Sequence, residues 1–291
     1  RWGILYSSPP QKKKVTMVKV LSLFDGISCG RVAFERAGIA VSEYHACEID
    51  KYAIQISTKN YPDIVRCGSV VGYSPTIGFD YVIGGSPCQG FSFAGKQLAF
   101  DDPRSKLFFE YVRILKEVKE LNPNVKFLLE NVRMKQEHLK VISDILGVEP
   151  ICINSSLVSA QNRIRYYWCN WEVTQPADMG IDLSSIIESG TVDRQKSYCI
   201  DANYYKGGSL KNYLEKCRRQ IVLSQSESRL MVNDPPVFRK LTPIECERLQ
   251  TLPDNYTEGV SNTQRYKCLG NGWTVDVISH ILKDSLKSTP P

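Results

Sequence analysis

The chain has 291 residues, enough for two domains of ordinary size or one large domain with an insertion. Its apolar fraction of 42% and charged fraction of 23% are typical of a globular protein, and this length buries a full core without disulfides or metals. No apolar run approaches the roughly 18 residues of a membrane span, and the N-terminus has no apolar signal-peptide core. Membrane, collagen-like and disordered classes are therefore excluded.

Ten cysteines and three histidines are spread along the chain. Because there is no C-x-x-C pair, neither a zinc site nor a disulfide framework is predicted. Free thiols are typical of a reducing, intracellular compartment. We therefore expect an intracellular protein without a bound metal.

The net charge of +6 is concentrated in one segment of the chain. Residues 191–240 hold ten Lys or Arg residues against five Asp or Glu residues. Such a surplus suggests a polyanionic partner. A solvated basic surface explains the same surplus equally well.

Predicted strands and helices alternate from residue 18 to about 155. Residues 1–16, rich in Pro, Ser and Lys, are predicted to be a linker or a cloning remnant. The predicted strands are Val18–Phe24, Val41–Glu48, Phe79–Gly84, Val125–Leu129 and Pro150–Asn154, and the predicted helices are Ser28–Ala37, Lys51–Asn60, Ser105–Leu121 and Gln136–Leu146. This alternation predicts an α/β fold, a mostly parallel sheet with helices on both faces, which binds ligands at the carboxyl ends of its strands.

The alternation stops near residue 170. Residues 171–238 are richer in turns and basic residues, which predicts a small second domain. A helix over Pro243–Leu249, capped by Thr242, and a last helix from about Thr274 to Leu286 are predicted to rejoin the first domain. The predicted division is therefore 17–170, 171–238 and 239–287.

A glycine-containing loop joins the first predicted strand to the first helix. Its candidate ligand-binding residues are Phe24, Asp25, Gly26, Ile27 and Gly30. Glycines allow a tight turn and a close approach to a ligand, and Glu48, which ends the next strand, is placed to hold a ribose. The loop lacks the dinucleotide-binding fingerprint, so a nucleoside site and an ordinary turn both remain open.

Cys88 lies in a loop rich in Gly and Pro, directly after a predicted strand. A thiolate nucleophile is expected at such an exposed position, where neighbouring groups must lower its pKa from about 8.5. A lone cysteine is more often a small buried apolar residue. The flanking glycines and the loop position favour the nucleophile here.

Two further motifs carry charged groups. Glu130 ends another predicted strand, where a protonated carboxyl group can donate a hydrogen bond to a ring nitrogen. A helix-capping role explains it equally well. Arg163 and Arg165 alternate in an extended segment and are expected to face the same side. They suit a phosphate, a carbonyl oxygen on a base, or a structural ion pair. The segment from Gly270 to Trp273 by itself indicates only a turn before a helix.

In this order and combination the motifs resemble those of the cytosine-C5 DNA methyltransferase family, over about residues 17–287 and most weakly between 170 and 238. The resemblance implies a Rossmann-like, class I S-adenosylmethionine-dependent methyltransferase with a small target-recognition domain. It implies S-adenosylmethionine as cofactor and double-stranded DNA as partner. The segments from Phe91 to Phe109 are similar to bacterial restriction-modification enzymes. Phe24–Ile27, Tyr256–Asn262 and Trp273 are similar to animal de novo methyltransferases. A bacterial or phage-infected cytoplasm is favoured, or a nucleus if the source is eukaryotic.

The resemblance also implies roles for residues. Cys88, Glu130, Arg163 and Arg165 are the implied catalytic residues. The implied cofactor-binding residues are Phe24, Asp25, Gly26, Ile27, Gly30, Glu48, Ile49, Ser69, Pro87, Asn271 and Trp273. The expected DNA contacts are Gln89, Ser92, Gln161, Tyr204, Tyr205, Lys206, Arg218, Arg219 and Arg239.

One position departs from the family pattern. Ser69 stands where many relatives carry an aspartate that binds the adenine amino group. We expect either weaker cofactor affinity or help from a neighbour such as Asp50.

The implied reaction transfers a methyl group to C5 of a flipped-out cytosine through a covalent Cys88 adduct. One alternative is an RNA cytosine-C5 methyltransferase acting on tRNA, whose relatives usually carry Pro-Pro-Cys instead of Ser86-Pro87-Cys88. The other alternative is an inactive DNA-binding or regulatory paralogue, for which only Ser69 argues.

Overall fold

The computed structural model describes residues 17–86, 106–207, 210–223 and 237–287. The predictions for residues 1–16, Pro87, Cys88, Gln89 and Ser92 lie outside these ranges. The strands of the main sheet are β1 (Val18–Leu23), β2 (Val41–Cys47), β3 (Val65–Gly68), β4 (Tyr81–Gly84), β5 (Lys126–Val132), β6 (Ile151–Asn154) and β7 (Ile164–Cys169). The helices are α1 (Cys29–Ala37), α2 (Lys51–Asn60), α3 (Lys106–Leu121), α4 (Gln136–Leu146), α5 (Leu210–Leu214), α6 (Pro243–Leu249), α7 (Asn262–Asn271) and α8 (Val275–Ser285).

The seven strands lie in the order β3-β2-β1-β4-β5-β7-β6. All pairings from β3 to β5 are parallel, and β7 runs antiparallel to both β5 and β6. A separate two-stranded antiparallel sheet joins β8 (Ile221–Leu223) to β9 (Phe238–Lys240). The predicted α/β fold with a mostly parallel sheet is confirmed.

The register brings the carboxyl ends of four strands to one edge. Leu23 of β1 is level with Cys47 of β2 and with Gly84 of β4, which in turn is level with Leu129 of β5. The residues that follow these four positions therefore share one edge of the sheet. This is the edge at which open α/β sheets bind their ligands.

Apolar side chains cover both faces of the sheet. One core contains α1 and α8 through buried residues such as Phe34 and Ile278. The other contains α3 and α4 through residues such as Phe108 and Ile142. Burial of these two apolar faces is the main stabilising contribution to the sandwich, because it removes the apolar surface from water.

The predicted boundaries agree within a few residues wherever an element was predicted, and α2, α4 and α6 agree at both ends. Six of the described elements were not predicted: β3, β7, α5, β8, β9 and α7. Gly270 and Asn271 were interpreted as part of a turn, whereas they are the last two residues of α7. A Cβ at Gly270 would lie 2.1 Å from the backbone of Asp201, so glycine allows this helix to pack closely.

The segment 171–238 contributes short helical turns, α5 and β8. Its buried residues Leu183, Ile200 and Val222 lie in the same apolar cluster as α1 and α8. The boundaries of a second domain stay a prediction. Within the described ranges, no helix has the length and apolar character needed to cross a membrane.

Candidate active site

Glu48 fixes the loop between β1 and α1. It follows β2 directly, and its Oε2 accepts a hydrogen bond of 2.7 Å from the backbone N–H of Gly26. Its Oε1 accepts from the N–H groups of Ile49 and Asp50, at 2.7 and 2.8 Å. Gly26 has φ +60°, in the left-handed region that favours glycine. The carboxylate and the glycine together set the path of this loop.

Asp25 supports the same loop from the interior. Its side chain is fully buried and accepts hydrogen bonds from the hydroxyl groups of Tyr44, at 2.8 Å, and of Ser28. Burial raises the pKa of the Asp25 carboxyl group, against the opposing effect of these hydrogen bonds and of Arg66. The carboxylate therefore anchors the loop internally instead of facing the sheet edge.

Gly30 and Ile27 hold α1 against the sheet. A Cβ at Gly30 would lie 2.5 Å from Cδ1 of Ile83 and 2.8 Å from the hydroxyl oxygen of Tyr44. Ile27 is buried in the adjoining core. Gly30 is thus required for close packing of the helix, which is one of the roles of glycine in nucleotide-binding loops.

The neighbouring strand ends carry an exposed apolar side chain and a hydroxyl group. Ile49 is 76% exposed beside the Glu48 carboxylate. Ser69 follows β3, is exposed, and its Oγ accepts a hydrogen bond of 3.0 Å from the N–H of Val71. Asp50 caps α2 by accepting from two backbone N–H groups. A carboxylate, an exposed apolar face and a glycine loop at one edge fit the ribose and base of a nucleoside.

Glu130 lies at the same edge, near the end of β5, and two side chains hold its two oxygens. Nε of Arg165 lies 2.9 Å from Oε1, and both side chains are mostly buried. The indole N–H of Trp273 donates to Oε2 at 3.1 Å. Charge-assisted hydrogen bonds of this kind give a carboxylate a defined orientation.

Asn131 connects β5 to the segment that leads to Cys88. Its side chain is buried, and Nδ2 lies 3.4 Å from the carbonyl oxygen of Ser86 and 3.5 Å from its hydroxyl oxygen. Ser86 is the last described residue before Pro87 and Cys88. Asn131 belongs to the segment Glu130-Asn131-Val132 that resembles the family, but sequence analysis gave it no role of its own.

Arg163 and Arg165 have different surroundings. The Arg163 guanidinium is buried and donates to the backbone carbonyls of Ile200, Gly270 and Gly272 at 2.9, 3.1 and 2.9 Å. Burial, followed by the nearby Arg165 charge, lowers the pKa of Arg163. The prediction that Arg163 acts on the substrate is therefore revised, because its donors are used to hold the loop after α7.

Two predicted DNA contacts are also interior residues. The Gln161 amide is fully buried and donates to the carbonyl of Leu249 and to Oε1 of Gln250, at 2.7 and 3.0 Å. Tyr204 is 1% exposed, and its hydroxyl donates to the carbonyl of Gln220. These bonds leave neither side chain facing solvent, so a direct DNA contact by either one is contradicted.

Of the other predicted DNA contacts, two are bonded within the protein and two are exposed. Arg239 is paired with the buried Glu245 at 2.7 Å, and Nη1 of Arg219 donates to the carbonyl of Gly207 at 3.2 Å. Lys206 and Arg218 are exposed.

Lys267 is a half-buried cation that sequence analysis missed. The Tyr205 ring has the Lys206 and Lys267 ammonium groups 5.8 and 5.3 Å from its centroid. Lys267 belongs to α7, 62 positions along the chain, and no local sequence signal links it to Tyr205. Among the residues that the structure describes, no group of three His, Cys, Asp or Glu side chains forms a potential metal site.

Comparisons with known proteins agree with the family resemblance found in the sequence. The profile of the family described as C-5 cytosine-specific DNA methylase matches residues 18–181 and 140–287. The chain is 30% identical over 319 residues to the Type II methyltransferase M.NlaX of Neisseria lactamica, which covers 91% of this chain and 95% of that protein. It is 29% identical over 338 residues to the Type II methyltransferase M1.ScrFI of Lactococcus lactis subsp. cremoris, covering 96% and 81%.

Solved structures share the fold. A methyltransferase of Entamoeba histolytica, EhMeth, matches with a TM-score of 0.71 at 19% identity, over 94% of this chain and 98% of that one. DNMT2 of Spodoptera frugiperda matches with a TM-score of 0.69 at 22% identity, over 92% and 99%. The fold is thus that of the class I methyltransferases. The chain belongs to the C-5 cytosine-specific DNA methylase family, and its enzyme class is DNA cytosine-5-methyltransferase.

Proposed function

We propose that the protein transfers a methyl group from S-adenosylmethionine to C5 of a flipped-out cytosine in double-stranded DNA, through a covalent adduct with Cys88. The observation that carries the proposal is the mostly buried Glu130–Arg165 pair, at the sheet edge where Glu48 also fixes the glycine loop. Family membership sets the reaction class, and this pair would supply a carboxyl group for the ring nitrogen and a guanidinium for the carbonyl oxygen of a cytosine.

When bound, S-adenosylmethionine would supply the methyl group and leave as the thioether S-adenosylhomocysteine. The Glu48 carboxylate, which fixes the glycine loop, would accept hydrogen bonds from ribose hydroxyls, and the exposed Ile49 would contact one face of the adenine. Ser69 would accept from the adenine amino group. Phe24, Pro87 and Asn271 complete the proposed cofactor-binding set.

Cytosine C5 is a poor nucleophile until C6 carries an added group. Addition of the Cys88 thiolate to C6 places electron density on C5 and on the ring. Glu130, in its protonated form, donates a hydrogen bond to N3, and Arg165 stabilises the charge that develops toward O2. Once C5 is methylated, its proton passes to water and the bond between C6 and the Cys88 sulfur breaks, which releases 5-methylcytosine and the free thiolate.

The exposed cations of the basic segment would contact phosphates. Lys206 and Arg218 face solvent, and Lys267 lies beside the Tyr205 ring. Phosphate contacts make DNA affinity fall steeply with salt. By likeness to the two bacterial Type II methyltransferases, we place this activity inside a bacterial cell, in restriction-modification.

The test measures label transfer from methyl-labelled S-adenosylmethionine to unmethylated, mixed-sequence duplex DNA. Cys88→Ala should abolish transfer, because the adduct cannot form. Cys152→Ala, which removes an exposed thiol on β6, is the matched control and should keep full activity. Label that enters tRNA but not DNA would overturn the DNA proposal in favour of the RNA enzyme. The absence of both transfer and cofactor binding would favour the inactive paralogue.

A further inference from the structure

Trp273 lies at the meeting point of three segments of the active-site edge. Its indole N–H reaches Oε2 of Glu130 at 3.1 Å, although 143 positions separate the two residues. The same ring lies near the start of α1, where a Cβ on Gly30 would be 3.5 Å from its Cζ3. One side chain thus spans from the cofactor loop to the catalytic carboxylate.

Gly85 makes room for this contact. A Cβ at Gly85 would lie 2.8 Å from Oε2 of Glu130 and 3.1 Å from Nε1 of Trp273. A separation of 2.8 Å is closer than non-bonded contact allows, so a side chain there would displace one of the two bonded groups. The end of β4 therefore leaves open the space in which the indole and the carboxylate meet.

The backbone beside Trp273 is held from several directions. The carbonyl of Gly272 accepts from Arg163 at 2.9 Å and from the amide of Gln250 at 3.0 Å. On the other side, the hydroxyl of Thr274 donates to Oε1 of Gln250 at 2.9 Å. The indole therefore projects from a fixed base, which is the condition for orienting a second group precisely enough for catalysis.

We propose that Trp273 is a positioning residue for Glu130: its indole N–H holds Oε2 while Arg165 holds Oε1, which fixes the carboxyl group at the angle needed for cytosine N3. The proposal rests on the proposed function, since it assigns an orientation for that reaction. It moves the main role of Trp273 from binding the cofactor to orienting the catalytic acid.

The test uses Trp273→Phe, which keeps one aromatic ring and removes the N–H donor together with the outer part of the indole. We expect kcat to fall about 10-fold or more, the effect of losing one hydrogen bond to a charged group. The KM and the equilibrium affinity for S-adenosylmethionine should change less than about 2-fold, because the ring stays. Trp171→Phe is the matched control: it removes an indole N–H that donates to the carbonyl of Ile281 at 3.0 Å, away from Glu130.

A double-mutant cycle separates positioning from general structural support. If Trp273 acts through Glu130, Trp273→Phe should have no further effect on the single-turnover rate in a Glu130→Ala background. An equal fold-loss in both backgrounds would overturn the proposal, as would an unchanged kcat in Trp273→Phe. A raised KM for S-adenosylmethionine with an unchanged kcat would show that Trp273 binds the cofactor instead. Inactivity of the wild-type protein on DNA would instead count against the proposed function itself.

Discussion

Glu130 and Arg165 are diagonal neighbours on two antiparallel strands, and their side chains meet at 2.9 Å. Glu130 is paired in register with Tyr167, and Arg165 with Val132, so the two side chains lie on the same face of the sheet. The contact exists because β7 runs against the direction of β5. In a wholly parallel sheet, Arg165, the second residue of β7, would lie at the edge opposite to Glu130.

Loss of this pair should reduce catalysis. Arg165→Leu removes a preorganised positive charge beside the proposed position of the reacting base, and we expect kcat to fall about 100-fold. Arg165→Lys should recover only part of the rate, because an ammonium group lacks the planar fork of the guanidinium. Single-turnover kinetics with saturating cofactor would measure both. A wild-type rate in Arg165→Leu would contradict the role given to this residue.

Loss of the Arg163 side chain should reduce the stability of the protein more than it affects the chemical step. Arg163→Leu removes the arginine donor from the carbonyls of Ile200 and Gly270 and one of the two donors of the Gly272 carbonyl, and we expect the free energy of unfolding to fall by about 3 kcal/mol. Urea unfolding would measure the change. Arg36→Leu, which removes an arginine paired with Asp276 at the surface, is the control and should cost about 1 kcal/mol or less. Equal losses in the two variants would refute the buried role of Arg163.

The thiol of Cys67 should react unusually fast near neutral pH. Hydrogen bonds, first from the Cys47 thiol and then from Tyr73 and His45, lower the pKa of Cys67 against the effect of burial. A lowered pKa increases the thiolate fraction, so alkylation by iodoacetamide should reach its plateau at a lower pH than in a simple cysteine peptide. Mass spectrometry of the Cys67 peptide across pH 5 to 9 gives the rate. The variant Cys47→Ala should move the plateau to higher pH. An unchanged profile would show that the hydrogen bond from Cys47 does not lower the pKa of Cys67.

DNA affinity should depend on exposed cations such as Arg218 and not on the buried Tyr204. Arg218→Ala should weaken duplex binding and lower the slope of log affinity against log salt by about 1. Lys283→Ala, an exposed cation on α8, is the control and should leave the slope unchanged. Fluorescence anisotropy over a salt series would measure both. Equal slopes for the wild-type protein, Arg218→Ala and Lys283→Ala would show that Arg218 does not contact DNA.

The sequence predicts those parts of the molecule that local chemistry determines. Both ends of α2 were predictable because Asp50 caps its first turn and Pro62 follows its end. The α6 helix was predictable from Thr242, which forms a capping box with Glu245. By contrast, β3 has four partly exposed residues at a sheet edge and an irregular register, so it carries no apolar pattern.

The sequence motifs predicted candidate residues, of which the structure brings Glu48 and Glu130 to one sheet edge, but they did not predict the contacts of the candidates. Alternation suggested that Arg163 and Arg165 face the same side, yet Arg163 precedes β7, which begins at Ile164, so the two-residue period does not extend to it. The Trp273–Glu130 hydrogen bond joins distant parts of the chain and depends on a gap at Gly85. Such a contact is a property of tertiary packing, which no local pattern encodes.

The central claim, a covalent Cys88 adduct at cytosine C6, is tested most directly with duplex DNA in which cytosines are replaced by 5-fluorocytosine. Fluorine at C5 cannot leave as a proton, so the final elimination stops and the adduct accumulates. With S-adenosylmethionine present, we predict a protein–DNA species that survives denaturing electrophoresis and maps to the Cys88 peptide. It should be absent with Cys88→Ala and present with Cys152→Ala. Methylation of ordinary duplex DNA without any trapped species, or trapping that persists in Cys88→Ala, would contradict the account.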